Sequence, residues 1–262
     1  MDGFGSQTST LTKYTLLLRT GAIDALNSRV LTSSAEVKNG RVLRRELDGR
    51  VVTHADASSY IGGYLNDMVV DAKGRAYIGN FGFDLMGGKP IETASLIRVD
   101  PDGTVSVVAE DLWFPNGIVI TSTGILLVNE TFGNRITAFD ISDDGSLTNR
   151  RAWASFGELP DRDIQKAVGE LSVMPDGCSL DAEGALWVAD AGGQRLVRVK
   201  EGGEIVDQID PGSGVFACAL GGQDGRTLFA CIAPDFHEEA RKSCREGSVV
   251  ATRVSVPHAG RP

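Results

Sequence analysis

The sequence predicts an all-β fold, a single β-propeller of nominally six blades with an incomplete or atypical first blade. One pattern recurs four times along the 262 residues: a short apolar strand, a tight turn rich in Asp and Gly, and a second apolar strand. Strand hairpins that repeat at a spacing of roughly 40–50 residues are typical of propellers. The 32 glycines and the 6% of aromatic residues suit a protein made of strands and turns. The four copies of the hairpin occupy residues 66–80, 116–130, 176–190 and, more loosely, 216–232.

Further hairpins lie between these copies and predict the outer strands of successive blades. Pro101-Asp102-Gly103 separates alternating runs at 96–100 and 104–108. Proline presets φ in such a turn, and glycine supplies a positive φ. Residues 135–154 and 196–209 have the same form. A helix is expected only at 161–171, as an insert before the third copy.

The N-terminal part of the chain differs from the rest. Residues 40–52 form a good outer hairpin, but residues 1–39 are rich in Ser and Thr and alternate weakly. We therefore divide the chain into an atypical segment, 1–39, and a propeller domain, 40–262. Residues 247–256 predict a last strand that closes the ring against N-terminal sequence. An incomplete blade would expose strand edges, so we expect self-association through them and proteolysis before about residue 40.

Charge and cysteine content narrow the classes of function. The formal net charge of −9 argues against nucleic acids and anionic membranes as partners, because both require basic patches. No apolar run reaches about 18 residues and no signal peptide is apparent, so a cytoplasmic protein is expected. The four cysteines have no C-x-x-C spacing and are interpreted as reduced core thiols.

Three side chains at the start of inner strands are the main candidates for a functional site. Asn66, Asn116 and Asp176 open the first three copies of the hairpin. Inner strands begin at the mouth of the central channel, so these side chains should converge on the axis. Amide and carboxylate oxygens suit Ca²⁺, Mg²⁺ or Mn²⁺ and, less particularly, Zn²⁺. The alternative is that each residue merely stabilises a turn, as Asn and Asp often do.

Other residues could line the same mouth. Asn80 and Phe83 follow the first inner hairpin, and Cys178 lies two positions after Asp176 and so points to the same side of its strand. Glu130 and Asp190 end inner strands at matching positions, where bonding within the blade is the favoured interpretation. The sequence contains no G-x-S-x-G serine-hydrolase motif and no phosphate-binding P-loop.

Four phrases of the chain, taken together, resemble the senescence marker protein (regucalcin)/gluconolactonase family over about residues 40–233. These are Asn66-Asp67 with Val-Val-Asp-Ala-x-Gly-Arg after it, residues 79–84, residues 114–117 and residues 175–189. The resemblance implies a six-bladed propeller with one divalent cation near its axis and a small-molecule lactone as substrate. Members hydrolyse sugar lactones and related cyclic esters, and a related branch hydrolyses organophosphate triesters.

The resemblance also implies roles for single residues. Asn66, Asn116 and Asp176 match metal ligands of the family, and Asp176 also matches its presumed base. Tyr64 occupies the position of an arginine that contacts substrate in many members.

One family ligand has no counterpart. It is a glutamate in a Pro-Glu-Gly-Pro-like phrase near the N-terminus, and Glu36 is the only acidic residue between Asp24 and Glu46. The leading hypothesis is a metal-dependent lactonase, and the alternatives are an impaired or non-catalytic propeller and a phosphotriester hydrolase.

Overall fold

The described part of the chain forms a propeller of antiparallel sheets. The computed structural model describes residues 12–14, 22–24, 29–32, 40–237, 240–241 and 243–260. These residues build five four-stranded sheets, each of which is one blade. The predicted all-β propeller is confirmed, and the count of six blades stays nominal.

Each blade is a meander whose strands follow one another in sequence, except at the last blade. Blade I contains β2 (Ala22–Asp24), β3 (Arg29–Thr32), β4 (Arg41–Arg45) and β5 (Val51–Asp56). Blade II contains β6 (Leu65–Val70), β7 (Ala76–Asn80), β8 (Ala94–Val99) and β9 (Val105–Leu112). Blade III contains β10 (Pro115–Ile120), β11 (Ile125–Glu130), β12 (Arg135–Ile141) and β13 (Leu147–Ser155). Blade IV contains β14 (Pro175–Leu180), β15 (Leu186–Asp190), β16 (Arg195–Val199) and β17 (Ile205–Ile209). Blade V contains β18 (Gly214–Gly221), β19 (Thr227–Ala233), β20 (Ser248–Arg253) and β1 (Thr12–Tyr14).

Blade V joins the two ends of the described chain. β1 pairs antiparallel with β20, with Thr12 opposite Ala251 and Tyr14 opposite Val249. This pairing confirms the predicted closure by the last strand. β3 pairs with β4 in blade I, so described pieces of the N-terminal 39 residues belong to blades. The division at residue 39 stays a prediction, because most of that segment lies outside the described residues.

The core lies between neighbouring blades, which explains why the middle strands are apolar on both faces. In β11, every residue from Leu126 to Glu130 is buried. Leu127 and Ile136 of blade III pack with Leu186 and Val188 of blade IV in one cluster. The middle strands of blades III and IV are therefore buried on both faces.

Bulges at the start of the inner strands shape the channel mouth. The pairing register shifts between residues 115 and 118 of β10 and between residues 175 and 178 of β14. A bulge bends its strand and re-aims the side chains on it. Gly117 allows neighbouring inner strands to approach closely, since a Cβ there would lie 2.4 Å from the Asp176 carbonyl oxygen.

Short helical segments interrupt the strands. A 3₁₀ turn spans Ser58–Tyr60, and helix α1 spans Ile164–Glu170 within the predicted insert. The Asp163 side chain caps α1 by accepting hydrogen bonds from the backbone N–H groups of Gln165 and Lys166. Within the described residues, no helix has the length and apolar character needed to cross a membrane.

Candidate active site

The structure brings the three predicted opening residues together across blades II, III and IV. The Asn66 side chain donates a hydrogen bond through Nδ2 to the Pro115 carbonyl oxygen, 3.2 Å away. The next residue, Asn116, is buried, and its side chain hydrogen-bonds to the carboxylate of Asp176. The contacts therefore run from β6 through β10 to β14. These contacts link the starts of three inner strands, and the metal-binding and catalytic roles of the three residues stay predictions.

The buried hydroxyl of Thr131 holds the side-chain amide of Asn116 in place. Asn116 Nδ2 lies 3.1 Å from Thr131 Oγ1, which in turn donates to the Pro175 carbonyl oxygen at 2.8 Å. Thr131 is itself buried. The Thr131 hydroxyl thus links the start of β10, which carries Asn116, to the start of β14, which carries Asp176.

Asp67 is a second carboxylate at this site, and sequence reasoning did not identify it. Burial raises the pKa of Asp67 from 3.8 to about 6. Burial, and then the charge of Asp67, raise the pKa of Asp176, while hydrogen bonds from the Asn116 side chain and the Gly177 backbone offset part of the rise. Strict alternation would point Asp67 away from Asn66, but the register shift between Leu65 and Met68 breaks that alternation.

These two carboxylates form an anionic centre of hard oxygen atoms. Among the described residues, no arginine, lysine or histidine contributes to the pKa shift of either group. Two like charges that are close together and shielded from water disfavour ionisation, and a bound cation would reverse that effect. Carboxylate and amide oxygens are the donors that Ca²⁺, Mg²⁺ and Mn²⁺ prefer. The residues present fit a divalent cation by this chemistry.

The carboxylate count is nevertheless low for a metal centre. Within the described ranges, no group of three or more His, Cys, Asp or Glu side chains is arranged to hold a metal ion. Any cation here would depend on the amide oxygens of Asn66 and Asn116. Glu36, the candidate for a missing ligand, lies outside the described residues.

Three thiols surround the same point. Burial, followed by the charges of Asp67 and Asp176, raises the pKa of Cys178, and the same causes raise the pKa of Cys231 to about 11. Cys218 is buried, and its Sγ lies 3.3 Å from the Trp187 carbonyl oxygen. All three are free cysteines. The charges of Asp67 and Asp176 thus act on Cys178, whose predicted contact with substrate stays a prediction.

Asn129 is a further buried polar residue at the site. It is fully buried, and its Nδ2 donates to the Asp176 backbone carbonyl oxygen at 2.5 Å. The corresponding positions of blades II and IV are Gly79 and Ala189. A polar residue in an otherwise apolar inner strand was the available sequence signal.

The remaining predicted mouth residues divide into aromatic and structural groups. The rings of Tyr64 and Phe81 lie 5.4 Å apart, and Phe81 stacks on Phe114 at 4.4 Å. Phe83 is buried, with its ring 6.0 Å from that of Phe114. Asn80 is also buried, and its amide bonds to the Ser95 carbonyl oxygen and the Gly82 N–H. These bonds favour a structural role for Asn80, whereas the predicted substrate contacts of Tyr64, Asn80 and Phe83 stay predictions.

Glu130 and Asp190 are bonded within their blades, in agreement with the favoured interpretation. Glu130 accepts hydrogen bonds from Trp113 N at 2.7 Å and from Arg135 Nε at 2.8 Å. Asp190 accepts from Met174 N and Arg195 Nε, each at 2.9 Å. These carboxylates hold the strand ends and the loops that follow them.

Comparison with known proteins shows which family of sequences this chain matches. The family model described as SMP-30/Gluconolactonase/LRE-like region matches residues 21–233. A 6-deoxy-6-sulfogluconolactonase of Pseudomonas putida is 28% identical over 75% of this chain and 64% of the relative. A pentonolactonase of Haloferax volcanii is 26% identical over 75% of this chain and 64% of the relative. A regucalcin of Danio rerio is 28% identical over 64% of this chain and 54% of the relative. The matches thus span about two thirds or less of the length of these relatives.

Solved structures support the fold. A luciferin-regenerating enzyme aligns with a TM-score of 0.71 at 18% identity, over 95% of this chain and 97% of the other. A calcium-binding regucalcin of Agrobacterium tumefaciens aligns with a TM-score of 0.68 at 19% identity, over 92% and 77% of the two chains. A gluconolactonase of Xanthomonas campestris aligns with a TM-score of 0.56 at 18% identity, over 95% and 90%. At such identities the likeness shows the fold alone.

Proposed function

This chain belongs to the SMP-30/gluconolactonase/LRE-like family, and we propose that it hydrolyses sugar lactones or related cyclic esters with the help of one divalent cation. The observation that carries the proposal is the pair of carboxylates, Asp67 and Asp176, set among the amides of Asn66 and Asn116 at the start of the inner strands. Relatives named as lactonases support hydrolysis of a lactone ring. A relative's name does not fix the substrate at this level of identity.

Asn66, Asn116 and Asp176 would hold the cation, and Asp67 adds a second negative charge beside them. A bound divalent cation supplies Lewis acidity toward the ring carbonyl oxygen of a lactone. The regucalcin of Agrobacterium tumefaciens, named as calcium-binding, supports a cation in this position. Mn²⁺, Mg²⁺ and Zn²⁺ are the other candidates.

Asp176 acts as the general base in this proposal. Burial, followed by the charge of Asp67, raises the pKa of Asp176 in the protein without cation, so its carboxylate there accepts a proton more readily than a carboxylate in water. Asp176 takes a proton from water as the water oxygen bonds to the ester carbonyl carbon. The ring C–O bond then breaks, and the departing alcohol oxygen takes that proton back. The products are a hydroxyl group and a carboxylic acid, which ionises in water.

A non-catalytic propeller is the competing function, and one observation favours it. The described residues offer fewer than three acidic, Cys or His side chains in any metal-binding arrangement. A weaker cation site would lower activity at a given concentration of metal. The two functions therefore differ in whether excess cation produces turnover.

The test is hydrolysis of a lactone panel with Ca²⁺, Mn²⁺, Mg²⁺ or Zn²⁺, against a chelated sample. We expect turnover with at least one cation, loss of turnover with chelator, and loss in Asp176→Asn. The matched control is Asp102→Asn, because Asp102 also lies in a Pro-Asp-Gly turn but is exposed on an outer hairpin. Absence of turnover with every cation would favour the non-catalytic propeller.

A further inference from the structure

A cleft of about 710 Å³ opens beside the group of aromatic residues at the channel mouth. Three separate segments line it: residues 85–88, residues 163–165 at the start of α1, and Phe236-His237. These segments lie between β7 and β8 of blade II, before blade IV, and after β19. The cleft is thus built from the loops on one face of the propeller.

Apolar side chains make up half of the described lining of this cleft, beside the polar side chains of Asp163, Gln165 and His237. Leu85 and Ile164 pack against the buried aromatic cluster that contains Phe83 and Phe114. Met86 is 41% exposed and Phe236 is 50% exposed. Asp163 is the charged residue of the described lining, and its carboxylate accepts the hydrogen bonds that cap the start of α1. Apolar side chains that are exposed around one concave site indicate a ligand with an apolar part.

Aromatic contacts connect the cleft to the carboxylates. The Phe236 ring lies 6.4 Å from that of Phe216 on inner strand β18. The Phe216 carbonyl oxygen lies 3.1 Å from the position of a Cβ built on Gly177, the neighbour of Asp176. In the aromatic cluster, Phe81 stacks on Phe114, and Leu85 of the cleft packs against the same cluster. Phe216 thus contacts the cleft residue Phe236 and lies against the backbone next to Asp176, which places the cleft on the Asp176 side of β18.

We infer that the cleft binds an alkyl or aryl substituent of the substrate, so that the preferred substrates are lactones with an apolar side chain rather than polyhydroxylated ones. This inference rests on the proposed function and narrows its substrate class. A polyhydroxylated chain would lose hydrogen bonds to water against Leu85, Met86 and Phe236, whereas an alkyl chain would gain from the same burial. The ring carbonyl stays at the carboxylate site.

The experiment compares three substrates in the parent protein: γ-nonalactone, which carries a pentyl chain, unsubstituted γ-butyrolactone and glucono-δ-lactone. We expect kcat/KM to be about tenfold or more higher for γ-nonalactone than for γ-butyrolactone. Phe236→Ser and Met86→Ser should each lower kcat/KM for γ-nonalactone about tenfold, with little change for γ-butyrolactone. Leu159→Ser is the matched control, because Leu159 is 47% exposed and does not line the cleft.

A binding measurement separates this inference from the proposed function. 3-Pentylcyclopentanone, in which a CH₂ group replaces the ring oxygen of γ-nonalactone, has the ring and chain of the lactone but no ester bond, and its binding is followed by calorimetry. If no lactone is hydrolysed but this ketone binds the parent and not Phe236→Ser, the proposed function is overturned and the cleft assignment is supported. If lactones are hydrolysed and the cleft variants lower all substrates equally, or none, the cleft assignment is overturned and the proposed function is supported.

Discussion

The buried acids at the ends of the inner hairpins and the acids at the channel mouth come from the same repeated pattern but have opposite surroundings. Glu130 and Asp190 are fully buried, and each accepts hydrogen bonds from an arginine and from backbone N–H groups. The charge of Asp67 acts on Asp176, and none of the described basic side chains contributes to their pKa values. A motif search would treat all four alike. Their partners, more than their burial, distinguish a structural acid from a candidate catalytic one.

The largest expected effect comes from removing the charge of Asp176. Asp176→Asn should lower kcat by about 10²–10⁴-fold at saturating cation, because it removes the proposed base. The same change removes a like charge next to Asp67, so the free energy of unfolding without cation should stay equal or rise. Steady-state kinetics and urea denaturation measure the two effects. Asn116→Asp adds a negative charge to a proposed ligand and should retain activity. Turnover in Asp176→Asn equal to that of the parent would rule out Asp176 as the general base.

Removing a strand-end acid should mainly lower the free energy of unfolding, which is the reverse of the effect expected for Asp176→Asn. Asp190→Asn leaves the Arg195 guanidinium without its carboxylate, and breaking such a partly buried pair should cost about 2–3 kcal/mol in the free energy of unfolding. Urea denaturation gives this value. Glu183→Gln is the control, since Glu183 also pairs with an arginine but its side chain is 61% exposed, so the expected change is about 0.5 kcal/mol. Equal losses in the two variants would contradict the distinction.

The pH dependence of stability should identify Asp67 directly. Its pKa is about 6 in the folded protein and 3.8 otherwise, so between these values the folded state binds more protons than the unfolded state. The free energy of unfolding without cation therefore falls as pH rises from about 4 to about 6, by roughly 2 kcal/mol from this group. The contribution is fully present below about pH 4 and lost above about pH 6.

The free energy of unfolding is measured against pH in the parent and in Asp67→Asn, and the two curves are subtracted. The difference is needed because other acids make stability rise with pH, the opposite of the effect of Asp67. Asp67→Asn should remove this fall. Excess Ca²⁺ should also reduce the fall in the parent, since a cation stabilises the ionised carboxylate. Identical slopes in the parent and the variant would mean that Asp67 ionises as freely as it does in water.

The smallest effect should come from the hydroxyl that supports Asn116. Thr131→Val keeps the shape of the side chain but removes its bonds to Asn116 Nδ2 and the Pro175 carbonyl oxygen. We expect a loss of about 1–2 kcal/mol in stability and a several-fold weaker affinity for cation. Thr121→Val is the control, because Thr121 Oγ1 accepts a bond from Ile125 N at a hairpin tip. Thr121→Val should lower the free energy of unfolding without changing the affinity for cation, which calorimetry measures. An equal loss of cation affinity in both variants would show that Thr131 has a purely structural role.

The sequence predicted those parts of the molecule that depend on the repeat. Asn66, Asn116 and Asp176 could be found because each opens an apolar strand at the same place in its blade. Asp67 could not, since the bulge at residues 65–68 changes the side on which it lies. Local register of this kind is set by pairing with β7, which alternation does not encode.

The inner strands of blade I, β2 and β3, were also missed because local sequence does not encode their pairing. β2 and β3 are three and four residues long and were not expected from the weak alternation of residues 1–39. Their pairing follows from the free edge that β4 offers, and so from tertiary context rather than local sequence. Asn129 was missed for a related reason, because its role depends on a carbonyl oxygen of the next blade.

The pairing of β1 with β20 has a consequence for the order in which the protein is made. A ribosome delivers Thr12–Tyr14 early and Ser248–Arg253 late, an interval of roughly 10–50 s at about 5–20 residues per second. Blades II, III and IV can form as they emerge, but blade V cannot be completed until β20 has been made. The early strand has no native neighbour throughout that time, and its unpaired edge needs protection from other nascent chains. Blade V is thus completed after the blades that lie between its strands in sequence, and the yield of folded protein should depend on protection of β1 during that interval.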